Sequence, residues 1–131
     1  MTAKEFLQQG WHIEQRIEKR KDERERLMAK LTSGVQQLSG MPRGGVHDWT
    51  DTAIKIADLD RMLMADIDCL VTLKADICKA IDAVEDMRYR RLLELRYRHY
   101  ESWEQIAVDM GYDIRWVYRL HGEALNKVVF K

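Results

Sequence analysis

Residues 102–122, SWEQIAVDMGYDIRWVYRLHG, decide how this chain is read. Ser102 followed three residues later by Gln105 is a capping-box pattern, so a helix is predicted to begin after Ser102. Ile106 and Met110 are spaced i,i+4 and share a face, predicted to point inward. Ala107 is small, as the close crossing of two helices requires. Gly111 stands where the chain must leave the helix, a position that often takes the left-handed conformation. Tyr112 fills the turn, Asp113 is placed to cap a second helix, and Val117 and Leu120 face back to the same core. Counted from Trp103, the small residue falls at position five, glycine at nine, and apolar residues at four, eight, fifteen and eighteen. Together these positions spell a helix-turn-helix.

In the usual docking of that motif the second helix enters the major groove by its N-terminal end. Ile114, Arg115, Tyr118 and Arg119 are predicted to face outward there, with Trp116 at the flank or partly in the core. Arg115 and Arg119 lie i,i+4 on one face. Arginine is the usual bidentate partner of guanine O6 and N7, which makes this pair the expected base readers. The competing use of both is surface pairing with Asp113 and Glu123.

The segment that holds this stretch, 82–131, is predicted to form helices over 84–99, 103–110 and 114–129. It carries nine acidic and nine basic residues, so attraction to phosphate must come from a local patch. Arg88, Arg90, Arg91, Arg96 and Arg98 oppose only Glu94 between residues 88 and 98, and His99 follows. Arg96, Arg98, His99 and Lys127 are candidate phosphate contacts, with Ser102, Trp103 and Trp116 flanking the groove. Alternatively, the arginines bridge to the acidic residues Asp58, Asp60, Asp66, Asp68 and Asp76 upstream.

Upstream, Ile56, Leu63, Leu70, Ile77 and Val84 recur every seven residues, with Leu59 and Leu73 at companion positions. Asp66 and Ala80 occupy the other companion positions, but Ile67 and Ile81 stand beside them. A helix over 49–81 with a heptad-like apolar stripe is therefore expected, capped by Asp48 or Thr50. The first segment, 4–38, is apolar toward both ends (Ile13, Ile17, then Leu27 or Met28, Leu31, Val35 and Leu38). Its middle, EKRKDERER, reads as a solvated helical arm held by pairs such as Glu18 with Lys21 and Asp22 with Arg26. Between the two lies LSGMPRGGVHD, with the only proline, which predicts a loop over 39–48. An antiparallel hairpin or coiled-coil arm over 1–81 results, and the stripe of 56–84 calls for a partner: the first helix or a second copy of the chain.

The totals agree with an all-α chain. With 22 basic and 22 acidic residues, seven glycines and one proline in 131, it is neutral and poor in helix breakers. No stretch approaches the roughly 18 apolar residues of a membrane span, and MTAKEFLQQG lacks the order of a secretory signal, so a cytoplasmic location is expected. Cys69 and Cys78 on one helix stand more than about 10 Å apart, too far to bond each other, and read as buried reduced thiols. Enzyme chemistry is not expected. His12, His47, His99 and His121 are scattered, and no metal-ligand spacing, nucleophile motif or phosphate-binding glycine loop is present, so no cofactor or metal is implied.

The stretch LELRYRHYESWEQIAVDMGYDIRWVYRLHGEALNKV resembles region 4 of the sigma-70 family. Leu93, Leu95, Arg96 and Tyr97 match its first helix. Glu104, Ile106, Ala107, Met110 and Gly111 match the second, and Arg115, Val117, Leu120, Ala124, Leu125 and Lys127 the third. WEQIA followed by VYRLHGEAL is similar to small region-4-like proteins of phages and prophages that regulate late transcription. The resemblance covers about fifty C-terminal residues and implies a promoter-DNA reader acting through Arg115, Tyr118 and Arg119, with RNA polymerase a further candidate partner. Two departures stand out. Many sigma factors place a glycine and then a leucine between the positions of Tyr97 and Ser102, where this chain has Tyr100 and Glu101. No promoter-melting region is present, so a regulator fits better than a complete sigma factor. The rival readings are a small terminase-like DNA-packaging protein and an adaptor that docks on RNA polymerase without touching DNA.

Overall fold

The computed structural model describes the backbone of residues 1–38 and 45–130, with side chains over 1–33 and 49–130. The described chain is all-α: a pair of long helices, α1 (Ala3–Leu38) and α2 (Gly45–Asp82), precedes three shorter ones. These are α3 (Met87–Leu93), continued by a π-helical segment over Glu94–Arg98, α4 (Trp103–Met110) and α5 (Ile114–Asn126). Positions 39–44 of the expected loop lie outside the described residues, while 45–48 belong to α2. Asp48 and Thr50 are therefore inside that helix rather than capping it.

Two compact units share the long helices: Ile13–Cys69, and Met1–His12 together with Leu70–Lys131. The boundary expected after residue 81 falls at the end of α2, whereas the second unit takes in both the last part of α2 and the first turns of α1.

In the unit Ile13–Cys69, α1 and α2 run antiparallel side by side. Arg16 Nη2 reaches Asp66 Oδ1 at 2.9 Å, Arg20 donates to the other oxygen of Asp66, and Arg24 Nε meets Asp60 at 2.6 Å. The stripe of α2 keeps a strict heptad here. Thr52, Ile56, Leu59, Leu63 and Asp66 are buried, while Ile67 is 43% exposed. A carboxylate thus holds the companion position, and the neighbouring Ile67 does not replace it. It is tolerated because two guanidinium groups satisfy both of its oxygens while keeping their own ends partly in water. Asp60 and Asp66 of α2 are accordingly partnered by arginines of α1, and Asp58 by Arg61 of α2 itself. Leu27 is half-buried and Met28 exposed, which resolves their shared position. Cys69 falls between the inward residues and is exposed, and Cys78 is half-buried, so neither is the buried thiol expected.

The second unit has a deeper interior. Phe6 and Leu7 of α1 pack with Ile77, Ile81, Leu93 and Ala124, and Phe6 stacks on Phe130 at 5.3 Å. A second cluster joins Leu92, Ile106, Val117 and Leu120, drawing α3, α4 and α5 together. Side chains of this kind contribute about 1.5–3 kcal/mol each on full burial. The stripe residues Ile77, Ala80 and Val84 end in this core, while Leu70 and Leu73 between the two buried stretches are half-buried.

α3 begins later than residue 84 because Asp86 caps it, accepting from the backbone N–H of Arg88 at 2.8 Å. The hydrogen bond from the Arg88 guanidinium, and then that backbone bond, hold the Asp86 carboxyl below its ordinary pKa. The helix ends by widening: His99 N–H donates to Glu94 O, and Glu101 N–H to Leu95 O. Tyr100 follows at φ 57°, the left-handed region. A non-glycine residue there costs about 1–2 kcal/mol. Its ring is accommodated because residue 10 is glycine, whose missing Cβ would lie 3.2 Å from the Tyr100 hydroxyl.

Candidate functional site

α4, the turn and α5 form as their residues demand. Ser102 Oγ accepts from Gln105 N–H at 3.1 Å, which starts α4. The reciprocal half of the capping box is absent, since the Gln105 side chain instead donates to Asp109 at 2.8 Å. Gly111 adopts φ 70°, and Tyr112 N–H returns to Ala107 O at 3.0 Å, closing the helix in a Schellman turn. Asp113 occupies the N-cap of α5 with extended backbone, but its carboxylate makes no capping hydrogen bond, contrary to expectation. α5 stops at Asn126, three residues before the predicted end, with Lys127 as its C-cap.

Ile106, Val117 and Leu120 are fully buried and Met110 packs on them, so the opposite face of α5 is turned outward. Arg115, Trp116, Tyr118 and Arg119 are exposed there, and Ile114 is half-buried. Among the described ion pairs none involves Arg115 or Arg119. Glu123, the rival partner of Arg119, accepts instead from the Tyr89 hydroxyl at 3.0 Å, tying α3 to α5. The Arg119 guanidinium lies 5.9 Å from the Trp116 ring.

The expected phosphate contacts divide. Arg98, His99, Ser102 and Lys127 are exposed, with Arg98 at 4.0 Å from Glu94. Arg96 and Trp103 are instead packed on each other. Arg96 Nη1 donates to Glu101 O at 2.9 Å, and its guanidinium stacks 4.3 Å over Trp103. Trp103 also meets the rings of Tyr118 and His121 edge-on, at 5.5 and 4.6 Å. Of the remaining arginines, Arg88 binds Asp86 and Arg90 binds Val84 O and Glu85 O. Those two serve the start of α3.

Sequence reasoning missed the polar contact behind α5. His121 is buried, and its Nε2 lies 2.6 Å from the Tyr97 hydroxyl. Burial pushes the imidazole down to about 4 and the phenol up to about 12. The imidazole is therefore neutral near pH 7, and its free ring nitrogen suits a donated phenolic proton. Nothing in the spacing of Tyr97 and His121 announces the pair. Beside α4, the neighbouring Asp109 raises the pKa of Glu101. No cluster of three His, Cys, Asp or Glu side chains fit to hold a metal occurs among the described residues, and none of their helices is long and apolar enough to cross a membrane.

Comparison with protein-family models, curated proteins and solved structures gave no match, so the site rests on its own geometry.

Proposed function

We propose that the C-terminal unit is a helix-turn-helix DNA-binding domain and that the chain is a sequence-specific regulator of phage or prophage transcription. The observation that carries this reading is the outward face of α5. Arg115 and Arg119 stand exposed, one turn apart, on a helix whose opposite face is locked into an apolar core. In a major groove, that pair offers planar forks to guanine edges, and Tyr118 and Ile114 offer contacts to thymine methyl groups. Arg98, His99 and Lys127 are the flanking groups for phosphate, with Ser102 at the start of α4. Arg96 and Trp103, stacked on each other, hold the two helices in place.

The chain is neutral overall, so nonspecific affinity is weak and its salt slope shallow. Selection of bound duplexes from a random pool, at two salt concentrations, tests the reading directly. Arg115→Ala and Arg119→Ala are each expected to weaken the selected site by about 1–3 kcal/mol, roughly 5- to 150-fold, while leaving the thermal transition in place. If no duplex is enriched, or if both variants bind as tightly as the parent, the DNA reading fails.

One observation favours a second reading, docking on RNA polymerase or another protein. Trp116, Tyr118 and the arginines of α5 are residue types that dominate protein interfaces, and Val108 of α4 is 73% exposed. Polymerase capture that is lost in Trp116→Ala, without enrichment of any duplex, would select it.

A further inference from the structure

Three features of the C-terminal unit meet at one small cavity. Gln8, Trp11, His12, Arg96, Tyr97 and Tyr100 line a hollow of about 240 Å³. The wall that carries Arg96 and Tyr97 is the π-helical segment, a geometry that recurs at functional sites. Tyr100 is held in a left-handed conformation that glycine would adopt without strain. Strain kept at a cavity wall is a sign that the side chain is wanted there.

We propose that this cavity binds a small planar aromatic carboxylate. Trp11, Tyr97 and Tyr100 supply aromatic walls, which favour a flat ring in stacked or edge-on contact. The volume lies below the usual 300–1,000 Å³ of drug-sized sites and suits a single ring with its acid group rather than a nucleotide. Arg96 supplies the anion recognition. Its described hydrogen bond uses one Nη1 donor on Glu101 O, and the guanidinium fork has others for a carboxylate. His12, exposed at the rim, adds a ring N–H donor.

The same walls hold the helices beyond. Arg96 grips the carbonyl of Glu101 immediately before the α4 cap, and Tyr97 contacts His121 of α5. A carboxylate held by the remaining Arg96 donors sits on the same guanidinium that grips the Glu101 carbonyl, so occupancy is felt at the start of α4 and around residue 121. This binding does not depend on the DNA reading, and the two fail separately.

Calorimetric titration of the full chain with 4-hydroxybenzoate, and with 4-cresol as its uncharged counterpart, tests the proposal. Saturable binding of the acid is expected, with 4-cresol at least about tenfold weaker. Trp11→Ala is expected to weaken the acid at least about tenfold; the Trp11 side chain is 44% exposed, so its loss spares the core. His12→Ala, also at an exposed position, serves as a second variant with a smaller loss. Amide shifts on titration are expected at residues 101–105 and 119–123. No saturable binding up to about 10 mM, equal affinity for 4-cresol, or an unchanged constant in both variants overturns it.

Discussion

The two compact units are built from the same long helices but bury different kinds of interior. In Ile13–Cys69 the buried row is one side chain deep, contains Thr52 and Asp66, and holds none of the fully buried large side chains among the described residues. In the other unit Leu7, Ile81, Leu92, Leu93, Ile106, Leu120 and Val117 are all at or below 1% exposure. Two helices alone cover only one face of each other, so a charge in that row remains within reach of arginines whose ends stay hydrated. Five helical stretches can enclose layers from which water is gone, and there a polar group must be satisfied from within, as His121 is by Tyr97.

The sharpest way to break this contrast is one chemical change made in both places. Leu93→Ala is expected to cost about 3–5 kcal/mol in denaturant unfolding and Leu63→Ala about 2–3, because the shallower site relaxes around its cavity. Equal costs would mean that the interiors do not differ. Next in size, Asp66→Ala is expected to cost about 1–2 kcal/mol, less than a fully buried pair, since Arg16 and Arg20 can rehydrate. Asp66→Leu is expected to be near neutral in stability but to double the amide resonances around residues 60–66, the mark of a lost register. A single set of resonances would deny Asp66 that role.

Smaller effects separate the two caps beside the turn. Ser102→Ala is expected to cost about 1 kcal/mol, whereas Asp113→Ala costs a few tenths, because only Ser102 makes its capping bond. Smallest at neutral pH is the His121 effect, which appears only on acidification. Its folded pKa, about 4, lies below the ordinary 6.5, so the folded state resists protonation. The stability contribution is complete above pH 6.5 and declines as pH falls from there toward 4. A thermal-shift profile of His121→Gln should lack that part of the decline; an unchanged profile would assign it to other groups.

The helices α4 and α5 were legible because each position answers a local demand: Ser102 for a cap, Gly111 for a left-handed turn, Ile106, Val117 and Leu120 for one buried face. The outward place of Arg115 and Arg119 follows from the same periodicity. The stripe of α2 was legible as a heptad, but its path at Asp66 was not. An aspartate reads as solvent-facing until arginines 46 and 50 residues away are seen to hold it. Arg96 and Trp103 looked like groove-flanking groups for the same reason, since exposure depends on neighbours that periodicity does not name.

The sequence by itself determined the long helices, the Ser102 cap, the Gly111 turn and the apolar faces of α4 and α5, because these depend on residues within a turn or two of one another. Tertiary structure alone decided that Phe6 and Leu7 complete the core of the C-terminal unit, that Tyr97 meets His121, and that Tyr100 keeps a strained backbone beside Gly10. Each of these joins residues far apart in the chain. Their contact is set by how whole helices pack, a quantity that no local pattern of residues carries.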